Sequence, residues 1–272
     1  MAVLRSFGVG ASVARATLGW IRRDPTYAAM LERTNFHGRT VSLAGGPALA
    51  AGATVGAAAG ARNARTAAAA VTAGMVSGSV GLYDDMVGNR PEQKTAKGFA
   101  GHLGALREGR VTSGLVKIAG VGAAGLAASA LIGSKRTSLL GRSADVLLGA
   151  GVIAGMANFV NLLDLRPGRA IKAGVAIGAP IGGGVAAGTL GAATAMLPED
   201  LGEEIMLGDA GANAMGALLG VALTSRTGMG GRFVALAALA ALTAASEKVS
   251  YTKVIQDTPW LRRLDELGRR PA

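Results

Sequence analysis

Three short segments combine acidic and amide side chains at the ends of long apolar stretches. Carboxylate and amide oxygens are ligands that Mg²⁺ prefers, usually together with the phosphate groups of a substrate. Acids left at the ends of membrane spans are costly unless they bind something. The residue types therefore indicate phosphate chemistry at a membrane surface. The residues are Asp84 with Asp85, Asn158 with Asn161 and Asp164, and Asp209.

Asp84 and Asp85 are adjacent near the end of an apolar stretch. Two neighbouring carboxylates repel each other unless they share a proton or a cation. A bound Mg²⁺ would remove that repulsion. The alternative is a solvated helix end on which two aspartates have no ligand.

The other two acidic segments are interpreted from where their residues would lie on predicted helices. Asn158, Asn161 and Asp164 are three residues apart, which predicts that they lie along one side of a helix. That side would face a polar ligand, or it would bond neighbouring helices to one another. Asp209 precedes an apolar stretch, where an acid is also an ordinary helix cap.

Basic residues lie between the first two acidic segments. Lys94 and Lys97 are candidates for binding phosphate oxygens, as are Arg107 and Arg110. For each of these four cations the alternative is a role as a cytoplasmic anchor of a membrane span, and that role is favoured for the two arginines.

The elements that must position these residues are predicted from composition and apolar patterning. The 272 residues include 43 Gly, 50% are hydrophobic and 17% are charged. The apolar residues form blocks of nearly membrane-spanning length, which predicts an all-α, polytopic membrane bundle with roughly 8–10 transmembrane helices. A soluble helical protein rich in Ala and Gly is the alternative. The clearest blocks are 41–60, 66–83, 111–133, 145–163, 210–225 and 233–246.

Two regions of the chain are harder to assign. Residues 1–21 carry two arginines, so they form a marginal span or an interfacial helix. Residues 170–197 contain Pro180 and three successive glycines, which favours a tight helical hairpin. We therefore predict a transmembrane domain over 1–250 and a cytoplasmic amphipathic tail over 251–272, which suits an anionic membrane surface. The predicted cytoplasmic loops are 22–40, 84–110, 164–170 and 198–209.

The distribution of basic residues predicts the orientation. With loop 84–110 in the cytoplasm, that side of the membrane carries 19 Lys and Arg residues and the opposite side carries 8. This bias follows the positive-inside rule. The net charge of +11 is then explained by anionic lipid and a phosphorylated substrate, because no nucleic-acid-binding motif is present. Zero Cys excludes disulfides, thiol nucleophiles and Cys-ligated metals.

Taken in order, these segments resemble the polyprenyl-phosphate N-acetylhexosamine-1-phosphate transferases, the superfamily of the phospho-MurNAc-pentapeptide translocase. The resemblance covers about residues 30–220. It includes a cytoplasmic loop that leads into a Gly-Gly span, an Asp-Asp pair, an Asn-x-x-Asn-x-x-Asp spacing and a Gly-Asp-x-Gly motif. The matching segments are 35–41 with 45–47, 84–85, 158–164 and 207–211.

The resemblance implies an enzyme that transfers a sugar 1-phosphate from a UDP-amino sugar to a polyprenyl (undecaprenyl) phosphate and releases UMP. It implies Mg²⁺ as cofactor and the cytoplasmic face of a bacterial inner membrane as location. A homodimer or envelope-assembly partners remain open. The implied roles are metal ligation by Asp209 and Asp164, catalysis by Asp84, Asp85, Asp164 and Lys97, and substrate binding by Asn158, Asn161 and Lys94.

The chain also departs from the family's pattern. It has no His after His102, whereas the family carries a His cluster in a late cytoplasmic loop associated with the sugar nucleotide. Two other functions therefore stay open. One is a diverged homologue that binds lipid phosphate as a scaffold in envelope assembly. The other is a transporter that uses the acids as an ion path, although the acids are predicted to lie on one face of the membrane.

Overall fold

The computed structural model describes residues 1–35, 37–88, 90 and 98–270, and it is mainly helical. This confirms the all-α class. The described helices are α1 (Ala2–Arg23), α2 (Pro25–Met30), α3 (Gly45–Ala59), α4 (Ala64–Val87), α5 (Gly98–Arg107), α6 (Ser113–Ile132), α7 (Leu139–Leu163), α8 (Arg169–Ile181), α9 (Gly183–Leu201), α10 (Gly208–Arg226), α11 (Met229–Ser246), α12 (Tyr251–Asp257) and α13 (Pro259–Glu266).

Four of the described helices, α4, α6, α7 and α11, are long and apolar enough to cross a membrane. Their surfaces remain largely uncovered, and α11 is the least buried of the four. Exposed apolar side chains on isolated water-facing helices would be unfavourable, whereas lipid accommodates them. The composition of these helices is therefore that of a membrane protein.

The core surrounds α10, most of whose residues are buried. Glycines let neighbouring helices approach its backbone closely. Gly216 packs against Ala157 of α7, and Gly220 packs 2.6 Å (measured from an ideal Cβ) from the Cα of Ile153. On the opposite side, Gly78 of α4 has Ala214 within ordinary contact distance. Helix α10 therefore lies between two candidate spans.

A second close packing joins α1, α3 and α9. Gly10, Gly56 and Gly188 meet so closely that a Cβ on Gly188 would overlap the backbone of Gly56. Such small-residue contacts let membrane helices associate through van der Waals packing. Residues 1–21, predicted as a marginal span or an interfacial helix, thus belong to a continuous helix in the bundle.

The hairpin predicted over 170–197 is present. Helix α8 ends at Ile181 and α9 begins at Gly183, and the two join at Gly182, whose φ is 65°. The open end of the hairpin is also held together. The N–H of Gly168, just before α8, donates to the carboxylate of Asp200 in the last turn of α9, 2.8 Å away. Both ends of the hairpin are therefore defined.

Several predicted loops are shorter than expected, because helices continue into them. Helix α4 reaches Val87, so Asp84 and Asp85 lie in its last turn. Helix α9 continues past Pro198 to Leu201. Loop 22–40 contains α2, and its strand β1 (Glu32–Thr34) pairs antiparallel with β2 (Thr40–Ser42).

The tail does not lie free beside the bundle. Asp265 of α13 is buried and binds the guanidinium of Arg169, with an Nε–Oδ1 distance of 2.8 Å. Arg269 binds the same carboxylate, and Lys172 donates to the backbone oxygen of Asp265. The apolar side chains of Trp260 and Leu264 remain exposed. The tail therefore combines a docked polar side with an apolar side that is uncovered, as an interfacial helix would.

Candidate active site at the acidic end of the bundle

Glycines bring three helix ends together at one end of the bundle. A Cβ on Gly46, at the start of α3, would overlap the carbonyl oxygen of Leu207. A Cβ on Gly81 of α4 would overlap the carbonyl oxygen of Asp209. The glycines of the sequence motifs thus allow α3 and α4 to contact the start of α10 directly.

Asp85 caps the N-terminus of α10. Its two carboxylate oxygens accept hydrogen bonds from the N–H groups of Asp209 (2.9 Å) and Ala210 (3.0 Å). Gly208 precedes them with a φ of 57°, and a Cβ there would lie 2.8 Å from both Asp85 oxygens. Only glycine fits this position comfortably. Asp85 therefore fixes where α10 begins and so positions Asp209.

Lys117 of α6 bridges two acids of different helices. Its ammonium nitrogen lies 2.6 Å from Oδ2 of Asp84 and also binds Oδ2 of Asp209. The side chains of Asp84 and Asp209 are 14% and 24% exposed, so the pairs are partly shielded from water. Charge-assisted hydrogen bonds of this kind are stronger than neutral ones. We call Asp84, Asp85, Asp164, Asp209 and Lys117 the acidic site.

Asp164 joins the acidic site from α7. It follows the last residue of that helix and accepts a hydrogen bond from the N–H of Gly208. Burial, together with the charges of Asp200, Asp209 and Asp85, raises the pKa of Asp164 well above its usual value. The salt bridges between described residues do not include Asp164. A cation bound beside Asp164 would therefore stabilise its ionised form, which burial and the neighbouring acids disfavour.

A cavity of about 270 Å³ opens beside Asp164. Asp200 and Glu203 also line it, and Asn35 lies on the side of the β hairpin. Burial raises the pKa of Asp200 to about 7, although the N–H of Gly168 acts in the opposite direction. The cavity thus combines carboxylate acceptors, suited to hydroxyl or amide groups of a ligand, with the guanidinium of Arg166.

Glu203 anchors the loop that resembles the family's first cytoplasmic loop. Its carboxylate accepts from the side-chain amide of Asn35 and lies 3.0 Å from both Nδ1 of His37 and a guanidinium nitrogen of Arg39. Burial acts to raise the pKa of Glu203, but these hydrogen bonds and charges outweigh it and lower the pKa. The segment from Glu204 to Met206 also hydrogen-bonds to Ser42. Segments 35–42 and 203–206 therefore form one unit.

The structure does not bring all the predicted site residues together. Asn158 is exposed and donates to Oγ1 of Thr243 on α11, 3.1 Å away. Asp164 lies one residue beyond the end of α7, where it accepts from the N–H of Gly208, so Asn158 and Asp164 have different partners. Asn161 lies in the last turn, and its carbonyl accepts from the N–H of Asp164. Lys94 and Lys97 lie outside the described residues.

The acidic site fits Mg²⁺ by the chemistry of its donors. Among the described residues, no group of three or more His, Asp or Glu side chains is arranged to hold a metal ion. Mg²⁺ does not need such a group, since it keeps several waters and often binds one or two carboxylates plus substrate phosphates. Asp164 supplies a partly buried carboxylate outside the salt bridges, and the charge of Asp209 contributes to raising its pKa.

Three residues of this end were not identified from sequence. From the sequence, Lys117 contributes only to the positive-inside bias, and Asp200 and Glu203 belong to the predicted loop 198–209. The acidic composition of 198–209 was the available signal for the two acids. No local pattern connects Lys117 to acids on two other helices.

A scan against protein-family models finds no match for this chain, and a search of curated proteins finds none with significant similarity.

Proposed function

We propose that this protein transfers a sugar 1-phosphate from a UDP-amino sugar to a polyprenyl phosphate and releases UMP. The observation that carries the proposal is the convergence of Asp84, Asp164 and Asp209, from three separate helices, at one end of the bundle. These are the acids of the motifs that resemble the polyprenyl-phosphate transferases.

The reaction brings two phosphate anions together, so the site must reduce their repulsion. Lys117 supplies a positive charge between Asp84 and Asp209. If Asp84 broke its salt bridge with Lys117, the ammonium group of Lys117 could bind a phosphate oxygen instead. We assign Asp84 the role of positioning or deprotonating the lipid phosphate. Asp85 is a positioning residue, since both of its oxygens hold the start of α10.

Mg²⁺ would be held by Asp164 and Asp209, with Asn161 near the metal or the diphosphate. When bound, the metal supplies charge screening for the donor diphosphate. The cavity beside Asp164 would receive the uncharged, hydroxyl-bearing part of the donor, because its acceptors can bind hydroxyl groups. Lys94 and Lys97 remain candidates for phosphate binding.

The proposed location is the cytoplasmic face of a bacterial inner membrane, with the acidic site toward the cytoplasm. Helices α3, α8 and α10 pack against candidate spans, and α1 and α9 pack against α3. We propose that most of these five helices also cross the membrane. Their high content of small residues and their mutual packing reduce the need for an apolar surface toward lipid. Together with the four candidate spans this gives at most nine spans, within the roughly 8–10 expected from the apolar blocks.

The experiment is release of UMP by the full-length protein in nanodiscs with undecaprenyl phosphate, Mg²⁺ and a panel of UDP-sugars. Asp209→Asn is expected to lower the rate about 100-fold or more, as for other groups acting directly in a reaction. Glu108→Gln is the matched control, because Glu108 forms only an exposed pair with Arg110. Equal rates for Asp209→Asn and wild type would contradict the proposal.

The second candidate is a catalytically diverged homologue that binds lipid phosphate as a scaffold in envelope assembly. The pairing of Asp84 and Asp209 with Lys117 favours it, because a lysine rather than a metal ion lies between the two acids. This function predicts binding of undecaprenyl phosphate with no UMP release from any UDP-sugar. Binding measured in the same nanodiscs separates the two functions.

A further inference from the structure

The end of the bundle opposite to the acidic site is rich in cations. Helix α10 begins beside Asp85 and ends at Arg226, and its rise of 1.5 Å per residue places these ends about 25 Å apart. A cavity of about 520 Å³ lies at the Arg226 end. Its charged lining residues are Arg65, Lys135, Arg136, Asp145, Arg226 and Arg232, and we call it the basic cavity.

Most of these cations lack an acidic partner. Asp145, the one acid of that lining, already pairs with Arg232 through a contact of 2.9 Å and accepts from Ser134. Among the described residues, Arg65, Lys135, Arg136 and Arg226 form no salt bridge. Like charges around one cavity repel each other, and an anion between them would turn that repulsion into attraction.

Arg232 gives a second, independent observation. Its side chain is 5% exposed, its Nη1 binds Asp145, and its Nη2 donates to the carbonyl of Thr224. Its Nε is buried and has no hydrogen-bond partner among the described residues. A buried donor without an acceptor is unfavourable, and an anion in the cavity that Arg232 lines would supply one.

Helix N-termini add to the positive field at this end. Helix α11 has 18 residues, and no side chain caps its N-terminus, where Gly228 and Met229 line the basic cavity. A smaller cavity shares Ser225 and Arg226 with it and adds Arg62. Free N–H groups at the start of a helix bind phosphate well, because the helix dipole is positive there.

We propose that the basic cavity binds a phosphate group, carried either by an anionic lipid headgroup or by a soluble phosphate compound. Guanidinium groups match phosphate oxygens in geometry as well as in charge. The cavity lies where α4 and α11 begin and where α6 ends, which is the headgroup level of the membrane if these helices span it. The proposal is independent of the reaction at the acidic site.

The test uses full-length protein in phosphatidylcholine nanodiscs at one ionic strength. One arm titrates inorganic phosphate and pyrophosphate, and the other replaces part of the lipid with phosphatidic acid. The cavity variant is Arg65→Gln with Arg226→Gln. The matched control, Arg5→Gln with Arg142→Gln, removes the same charge at the same end from residues outside the cavity lining. All four arginines are exposed, so both variants are expected to fold.

We expect the cavity variant to bind pyrophosphate at least about tenfold more weakly than wild type, with the control unchanged. A thermal shift caused by phosphatidic acid and lost only in the cavity variant identifies a lipid as the source. A shift caused only by the soluble anions identifies a soluble phosphate compound. Equal weakening in both variants, or no binding in either arm, overturns the proposal.

Discussion

The ammonium nitrogen of Lys117 lies 2.6 Å from a carboxylate oxygen of Asp84, which joins α6 to α4 at the acidic site. The same nitrogen binds Asp209, so one cation forms salt bridges with two acids on two other helices. A side chain in this position holds the two acids together, and its positive charge could also bind an incoming phosphate. The predictions below separate such structural roles from chemical ones.

Lys117→Gln is expected to lower the free energy of unfolding by about 3 kcal/mol, because it leaves two partly buried carboxylates without a cation. Mg²⁺ is expected to restore part of this loss, since it can replace the ammonium between two carboxylates. Thermal unfolding with EDTA and with Mg²⁺ measures both effects. Lys117→Arg keeps the charge and is the control. A Mg²⁺ response no larger than that of wild type would contradict this prediction.

Asp200→Asn is expected to change the pH dependence of stability. Burial raises the pKa of Asp200 to about 7, so the folded protein binds a proton that the unfolded chain has lost above its usual pKa of about 3.9. The free energy of unfolding therefore falls as pH rises from about 4 to 7. The side-chain amide of asparagine does not titrate, so the variant lacks this pH-dependent contribution. Its amide oxygen can still accept from the N–H of Gly168.

Between pH 5 and pH 8, Asp200→Asn should gain up to about 3 kcal/mol relative to wild type. Unfolding curves at both pH values give this difference directly. The exposed Asp257→Asn variant, which makes the same chemical change, should follow wild type. A constant offset between Asp200→Asn and wild type across this range would show that the carboxyl of Asp200 does not titrate there.

Gly10→Ala is expected to destabilise the protein by about 1–3 kcal/mol, because the added methyl group would overlap the carbonyl oxygen of Gly188. Gly8 lies on the same helix with no neighbour within 4 Å of an added Cβ, so Gly8→Ala is the matched control. The melting temperatures of both variants measure the difference. If the two variants melt at the same temperature, α1 does not pack against α9 as described.

Asp265→Asn is expected to release the tail. Burial acts to raise the pKa of Asp265, but Arg169 and Arg269 outweigh it, and the low pKa marks a favourable pair. Its contribution is present above the usual pKa of an aspartate and is lost as the pH falls through the lowered one. Removing one partner leaves the buried Arg169 uncompensated, at a cost of about 3–5 kcal/mol.

Limited trypsin digestion detects the released tail as faster cleavage at Arg262 or Arg263. Glu266→Gln changes the neighbouring, exposed acid and should leave the cleavage rate unchanged. Replacing Arg169 and Asp265 together by apolar residues should recover part of the lost stability. Slow cleavage in Asp265→Asn, as in wild type, would mean that other contacts hold α13 in place.

Patterns within a short stretch of sequence predicted the helices, the break at Gly182 and the acids at helix ends. Apolar block length and Gly or Pro positions carry that information locally. The motif spacing also predicted that Asp84, Asp164 and Asp209 share one end of the bundle. These features need no knowledge of which helices are neighbours.

Contacts between distant segments could not be predicted in this way. Glu203 binds Asn35 across 168 positions, and Lys117 binds Asp209 across 92. Glu203 and Lys117 each look like an ordinary surface charge in their own stretch of sequence. The partners of Asn158 and Asp164 could not be predicted for the same reason, because Thr243 and Gly208 lie on other segments of the chain.

The glycine contacts between α1 and α9 also concern the order in which the chain is assembled. Arg15 of α1 binds Glu199 at the far end of α9, 184 positions later in the chain. At a synthesis rate of 5–20 residues per second, α1 would wait roughly 10–40 s before the ribosome delivers its main partner. During that time α3 is the one neighbour already made that covers its glycine-rich side. Helix α1 is therefore made long before α9 and completes its packing only after α9 has been made.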